Sequence, residues 1–157
     1  MDAPECVRSY KSLANVERAF KSMKTIDLKV RPIHHRLADR VRAHILLCML
    51  AYYVEWHLRE AWRELMFADT EQQAKATRDP VAPAERSASA QGRAATHLLA
   101  DGTSAHSFST LMAELSTVVR NTCRAPNAKS DAPAFEVTTT AGPKQLRAMQ
   151  LVHGITP

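Results

Sequence analysis

Glycine is scarce in this chain, at four residues in 157, and phenylalanine is no commoner. That scarcity argues against a large β-sandwich and against a nucleotide fold built on glycine-rich phosphate loops. Neither G-x-G-x-x-G nor a Walker loop occurs, and no G-x-S-x-G context marks a nucleophilic serine. Cysteine is limited to Cys6, Cys48 and Cys123, too widely spaced for a C-x-x-C pair. A disulfide scaffold and a zinc ribbon are thereby excluded, and the pattern points to a reducing compartment. The first residues, Met-Asp-Ala-Pro-Glu-Cys, lack the basic-then-apolar order of a secretory leader. The longest apolar run, residues 45–54, is about half of the ~20 residues that a bilayer-spanning helix requires. The expected class is a soluble intracellular protein with no membrane partner.

What is present is enough for a core. Apolar residues make up 45% of a chain of single-domain size. The net charge of +5 is unevenly placed: residues 1–42 hold ten Lys/Arg against five Asp/Glu, while residues 43–157 hold eleven of each. All the surplus therefore lies in the first quarter. A basic face there favours a polyanion such as nucleic acid, through counterion release. The same charge also fits a solvated lysine-rich helix surface.

The apolar spacing predicts a helix over residues 9–24, with Ser9 as its N-cap and Tyr10, Leu13, Val16, Phe20 and Met23 as its stripe. Residues 25–35, with Pro32, form a connection, with room for a short extended piece at Leu28-Lys29-Val30. A longer helix follows over residues 37–65, with Asp39 favourably near its start. Its middle, residues 44–56, is apolar on nearly every side and reads as a central helix buried by neighbours. Its last turns, residues 56–64, turn amphipathic and are expected to leave the core. Residues 66–106 are rich in Ala, Ser, Gln, Thr and charge, and read as a linker or insertion holding at most a short helix. A third helix is expected over residues 107–123, ended by Pro126, then a short strand over 134–140 and a last helix over 144–153. The fold expected is mainly α, with three or four helices and at most a short C-terminal β-strand. Its divisions are residues 5–65, a low-order stretch 66–106, and residues 107–153.

The first helix holds the most informative feature. Tyr10, Glu17 and Lys24 are seven residues apart, so each step drifts only about 20° around a straight helix. That row overlaps the apolar stripe, since Leu13 and Phe20 lie about a sixth of a turn away at 3.6 residues per turn. Glu17 is thus expected beside a core-facing surface, where a carboxylate needs a metal ion or a basic partner. The other reading is a boundary glutamate that reaches water. His34-His35 and the pair His44 and Cys48, one turn apart, are weaker metal candidates. For His44 and Cys48, packing in the buried helix is the plainer role.

At these residues the chain resembles the end of the catalytic domain in bacterial insertion-sequence transposases of the DDE type. Their signature is Tyr, two residues, Arg, three residues, Glu, six residues, Lys. Tyr10, Glu17 and Lys24 fit it, while Leu13 stands where the arginine would be. The runs at residues 30–35, 40–45 and 48–51 are similar to the continuation in a subgroup of these enzymes, and residues 135–140 with Gln145 and Leu146 to their C-terminal end. The resemblance implies the C-terminal remnant of an RNase H-like transposase fold, with Glu17 as the last carboxylate of an Asp-Asp-Glu triad. In the family that triad holds two Mg²⁺ ions, which activate the attacking oxygen and stabilise the leaving one. Tyr10 and Lys24, joined by Lys21 and Arg31, would contact phosphates at the transposon end. Leu13 in place of the arginine removes one such contact.

Nine residues precede Tyr10, too few for the strands that carry the family's two aspartates. The expectation is therefore a fragment of a truncated or frame-interrupted transposase that does not bind Mg²⁺ or cut DNA alone. Its partners would be DNA, a second copy or full-length transposase, in the bacterial cytoplasm on the nucleoid. A second reading is a helical interaction module that associates with or inhibits full-length transposase, favoured by the ten-residue apolar stretch. A third is a basic helical DNA-binding protein unrelated to transposition, for which no helix-turn-helix spacing is evident.

Overall fold

The computed structural model describes residues 2–26, 28, 30–71, 78–83, 85–125 and 133–155. They form a mainly helical protein, as expected, with five α-helices instead of three or four and a small two-stranded sheet where a single short strand was expected. Among the described residues no helix is long and apolar enough to cross a membrane. The chain divides into two compact units: residues 1–60 with 69–88, and residues 61–68 with 89–157.

In the first unit, α1 (Ala3–Lys21) begins six residues before the expected start. Asp2 is its N-cap: the carboxylate Oδ1 accepts from the Glu5 N–H at 2.7 Å, and proline sits in the first turn, where a missing N–H costs nothing. Ser9 is not a cap but an interior residue, whose carbonyl accepts from the Ser12 hydroxyl at 2.6 Å. After Lys21 the backbone widens into a π-helical turn, Ser22–Ile26. The extended piece placed at 28–30 includes Lys29, outside the described residues, as Pro126 is; Val30 N–H donates to the Met23 carbonyl. Helix α2 (Ala38–Ala61) matches the second expected helix to within a turn, and a 3₁₀ turn, Arg63–Leu65, extends it.

Two expectations about α2 are overturned. Its apolar middle is not buried: Leu46, Leu47, Met49, Leu50, Tyr53, Val54 and Trp56 are all exposed. The end that was expected to leave the core is where burial begins, at Glu55 on α2 and then at Trp62, Leu65 and Met66 beyond it. The physical difference is the supply of partners. Every buried hydrophobic among the described residues belongs to the second unit, and the only buried residues described in the first are Ser22 and Glu55.

The second unit has a conventional interior. Trp62, 4% exposed, donates its indole N–H to the Ala148 carbonyl at 2.9 Å and lies against Phe108, with ring centroids 5.8 Å apart. Leu65, Met66, Ala90, Ala105, Leu111 and Ala148 complete the set. The expected short helix between 66 and 106 is α3 (Ala88–Thr96). Around it, bridges Met66–His106 and Leu98–Ser104 and two bonds from Arg93 Nη1 to the Met66 and Ala68 carbonyls tie this stretch down.

Helix α4 (Phe108–Leu115) starts at Ser107, whose hydroxyl accepts from the Thr110 N–H while Thr110 Oγ1 accepts from the Ser107 N–H. It stops eight residues short of the expected end. The Ser116 and Thr117 hydroxyls donate to the Ala113 and Glu114 carbonyls in its last turn, and the β-branched Thr117-Val118-Val119 leads into a strand. Strand β1 (Arg120–Cys123) pairs antiparallel with β2 (Phe135–Thr138), the strand foreseen over 134–140. The register sets Arg120 opposite Thr138 and Cys123 opposite Phe135. The last helix, α5 (Pro143–His153), has Gln145 Oε1 accepting from the Gly142 N–H at 2.8 Å.

Candidate functional site

The residues singled out from the sequence all lie in the first unit: the phosphate and metal candidates Tyr10, Glu17, Lys21, Lys24 and Arg31 on α1 and the connection after it, His34 and His35 in that connection, and His44 and Cys48 on α2. Tyr10 is 76% exposed, and Glu17, Lys21, Lys24 and Arg31 are exposed as well. The neighbouring stripe, Leu13, Val16 and Phe20, is exposed too, and α1 contains no buried residue. The expectation that Glu17 borders a packed surface is therefore corrected. It does lie beside the apolar stripe, but that stripe is about half exposed and Glu17 is itself exposed, so the carboxylate meets water and has no burial to offset.

The seven-residue row is continuous only in its first part. Tyr10, Glu17 and Lys21 share one side of the regular helix, because spacings of four, seven and eleven all return to nearly the same direction. Lys24 falls inside the π-helical turn, where the register departs from 3.6 residues per turn. Its ammonium sits 5.5 Å from the centre of the Phe20 ring, a cation–π distance on the edge of the apolar stripe. The structure thus brings a phenol, a carboxylate and a lysine into one exposed line, with a second lysine folded toward the stripe. Chemically such a line can meet phosphates; a single carboxylate in water cannot organise two metal ions. Among the described residues no three His, Cys, Asp or Glu side chains gather as a metal site. Lys11, elsewhere on α1, donates to the Pro80 carbonyl.

The histidine candidates are partly brought together. His44 Nε2 lies 3.1 Å from the Val30 carbonyl and 4.0 Å from Cys48 Sγ, and the His35 ring meets the His44 ring edge-on at 5.6 Å. The bond to Val30 joins α2 to the segment after α1, a packing role. Farther along α2, Arg59 Nη2 pairs with the buried Glu55 at 2.6 Å.

The second unit contains a polar cluster that spacing along the chain did not reveal. His106 Nε2 lies 3.0 Å from Glu114 Oε2 and 3.2 Å from Lys144 Nζ, which also donates to the Ser104 carbonyl. Gln145 Nε2 donates to the Glu114 carbonyl at 2.8 Å. Ser104, His106 and Glu114 lie within a loop and α4, but Lys144 and Gln145 reach them from α5, 38 and 31 positions from His106 and Glu114, so no local pattern announces the cluster. Nearby in sequence, the Thr103 N–H and hydroxyl donate to Asp101, at 2.9 and 2.7 Å. Those two bonds, the backbone one foremost, hold the Asp101 carboxyl below the usual carboxylate range, with a smaller contribution from the charge of Lys144. Comparison of the chain with protein-family models, with curated proteins and with solved structures gives no match.

Proposed function

We propose that the chain is part of a DDE transposase, acting in DNA transposition by holding DNA phosphates along α1. One observation carries this reading: Tyr10, Glu17 and Lys24 keep the family's seven-residue spacing, in the segment with all the surplus positive charge, on α1 and the π-helical turn after it, and all three are exposed. Phosphate contacts of this kind position a protein on DNA without reading sequence. The Mg²⁺ pair of the family does not fit the residues described, since Glu17 has no companion carboxylate in a common site. No cleavage step is therefore assigned to this chain. Such a protein works in the bacterial cytoplasm, on the nucleoid.

The test is binding to a short duplex as a function of salt. A phosphate-held complex weakens steeply, and each lost contact removes about 0.9 from the slope of log K against log salt. We expect Lys21→Ala and Lys24→Ala each to flatten the slope by about that amount, uniformly across DNA sequences. Binding that ignores salt, or that survives both changes unaltered, rejects α1 as the DNA surface. In a supercoiled-plasmid nicking assay with Mg²⁺ or Mn²⁺ no cleavage is expected; cleavage abolished by Glu17→Ala would overturn the non-cutting reading. A second reading, an interaction module that associates with or inhibits full-length transposase, is favoured by the absence of buried apolar residues among those described in the first unit.

A further inference from the structure

His106 stands between opposite charges in the second unit. Its ring Nε2 lies 3.0 Å from Glu114 Oε2 and 3.2 Å from Lys144 Nζ, and its side chain is only 14% exposed. A ring nitrogen that carries a proton donates, to a carboxylate and not to an ammonium. One that carries a lone pair accepts, from an ammonium and not from a carboxylate. The two contacts therefore belong to different proton states of the same atom.

We propose that His106 is a proton-operated latch: neutral, it holds Lys144 of α5 through the Nε2 lone pair, and protonated, it exchanges Lys144 for Glu114 of α4. In the neutral state the ring proton sits on Nδ1, and Lys144 donates both to Nε2 and to the Ser104 carbonyl, the latter at 2.6 Å. In the protonated state Nε2–H pairs with Glu114, and two cations face each other where Lys144 stood. Lys144 then keeps Ser104 alone.

The surroundings leave the choice to these two charges. Residues 65–67, whose backbone bonds to that of His106, carry no charged side chain, and Glu114 is the one charged residue of α4. On α5, Arg147 is paired with Glu64 at 2.8 Å, and His153 Nδ1 lies by the Met149 carbonyl. In the loop, Asp101 accepts from Thr103, and the His97 ring meets Phe67. Gln145 Nε2 donates to the Glu114 carbonyl and the Thr117 hydroxyl, so α5 stays attached in both states while its first turn is held differently. That difference has a reporter. Lys144 and Ala148 are one turn apart on α5, and the Ala148 carbonyl accepts the Trp62 indole N–H. This inference lies wholly in the second unit and does not depend on the transposition reading.

Ring-nitrogen NMR of the full chain, with His106→Gln identifying the resonances, tests it. The neutral ring should carry its proton on Nδ1; a neutral ring protonated at Nε2 overturns the proposal, since Glu114 would then be the partner throughout. Histidine changes charge between about pH 8 and 5, and Trp62 emission in a Trp56→Phe background should change across that interval with the midpoint of the His106 ring. Lys144→Met should abolish the emission change and move the ring midpoint to higher pH, because a repelling charge is gone. Glu114→Gln should move it to lower pH. Trp62 emission that stays flat while the ring titrates, or that still responds in Lys144→Met, reduces His106 to a packing residue and overturns the latch. Midpoints unmoved by either substitution do the same.

Discussion

Replacing Leu111 by alanine separates the two kinds of apolar residue in this protein. Leu111 lies in α4 and has no exposed surface, whereas Leu50, of identical chemistry, is 55% exposed on α2. Full burial of a leucine side chain is worth about 1.5–3 kcal/mol, and truncation in a close-packed interior adds the cost of the cavity, for a total of about 2–5 kcal/mol. A domain of this size has about 5–15 kcal/mol in all, so Leu111→Ala should remove a large share and lower the melting temperature by about 4–20 °C. Urea unfolding followed by fluorescence is a direct assay. Trp62 is buried in the same unit and Trp56 is half exposed, so a Trp56→Phe background isolates the buried reporter. In that assay Leu50→Ala should change the Trp62 transition by less than about 0.5 kcal/mol. A Leu111→Ala loss no larger than that of Leu50→Ala would refute the assignment of the interior to the second unit.

Two further outcomes follow from particular contacts. Arg59→Ala strands the buried Glu55 carboxylate, and since Arg59 is itself partly exposed the expected loss is about 1–2 kcal/mol by denaturant titration, with Glu55→Gln in the same background recovering part of it. The Asp101 carboxyl is depressed in the folded state, so its bonds to Thr103 are fully present above the ordinary carboxylate range and are lost as pH falls through the lowered folded value. The Thr103 amide resonance should therefore titrate below the usual Asp range, and an amide that titrates within or above it contradicts the two-bond geometry.

Periodicity made α2 and α5 legible to within a turn, because unbroken spacings of three and four have no other regular solution. The start of α1 was also written in the chain, in Asp2 followed by Pro4 and Glu5, but an apolar stripe that begins at Tyr10 drew the boundary inward. Helix α4 was overextended for a related reason: Val118 and Val119 continue its spacing, yet the backbone there is already approaching β1, whose pairing with β2 spans a long interval of sequence. Strand pairing of that kind is a tertiary event that overrides local preference. The line of Tyr10, Glu17 and Lys21 follows from helical geometry alone; the departure of Lys24 does not, because a π-helical turn leaves no trace in residue spacing.

By itself, then, the amino-acid order decides which segments coil, where the positive charge collects, and that a phenol, a carboxylate and a lysine share one side of α1. It cannot decide which apolar side chains are covered. Leu46 and Leu111 carry the same hydrophobic driving force, but covering requires a surface to pack against, and only the folded chain places one over Leu111 and leaves Leu46 in water.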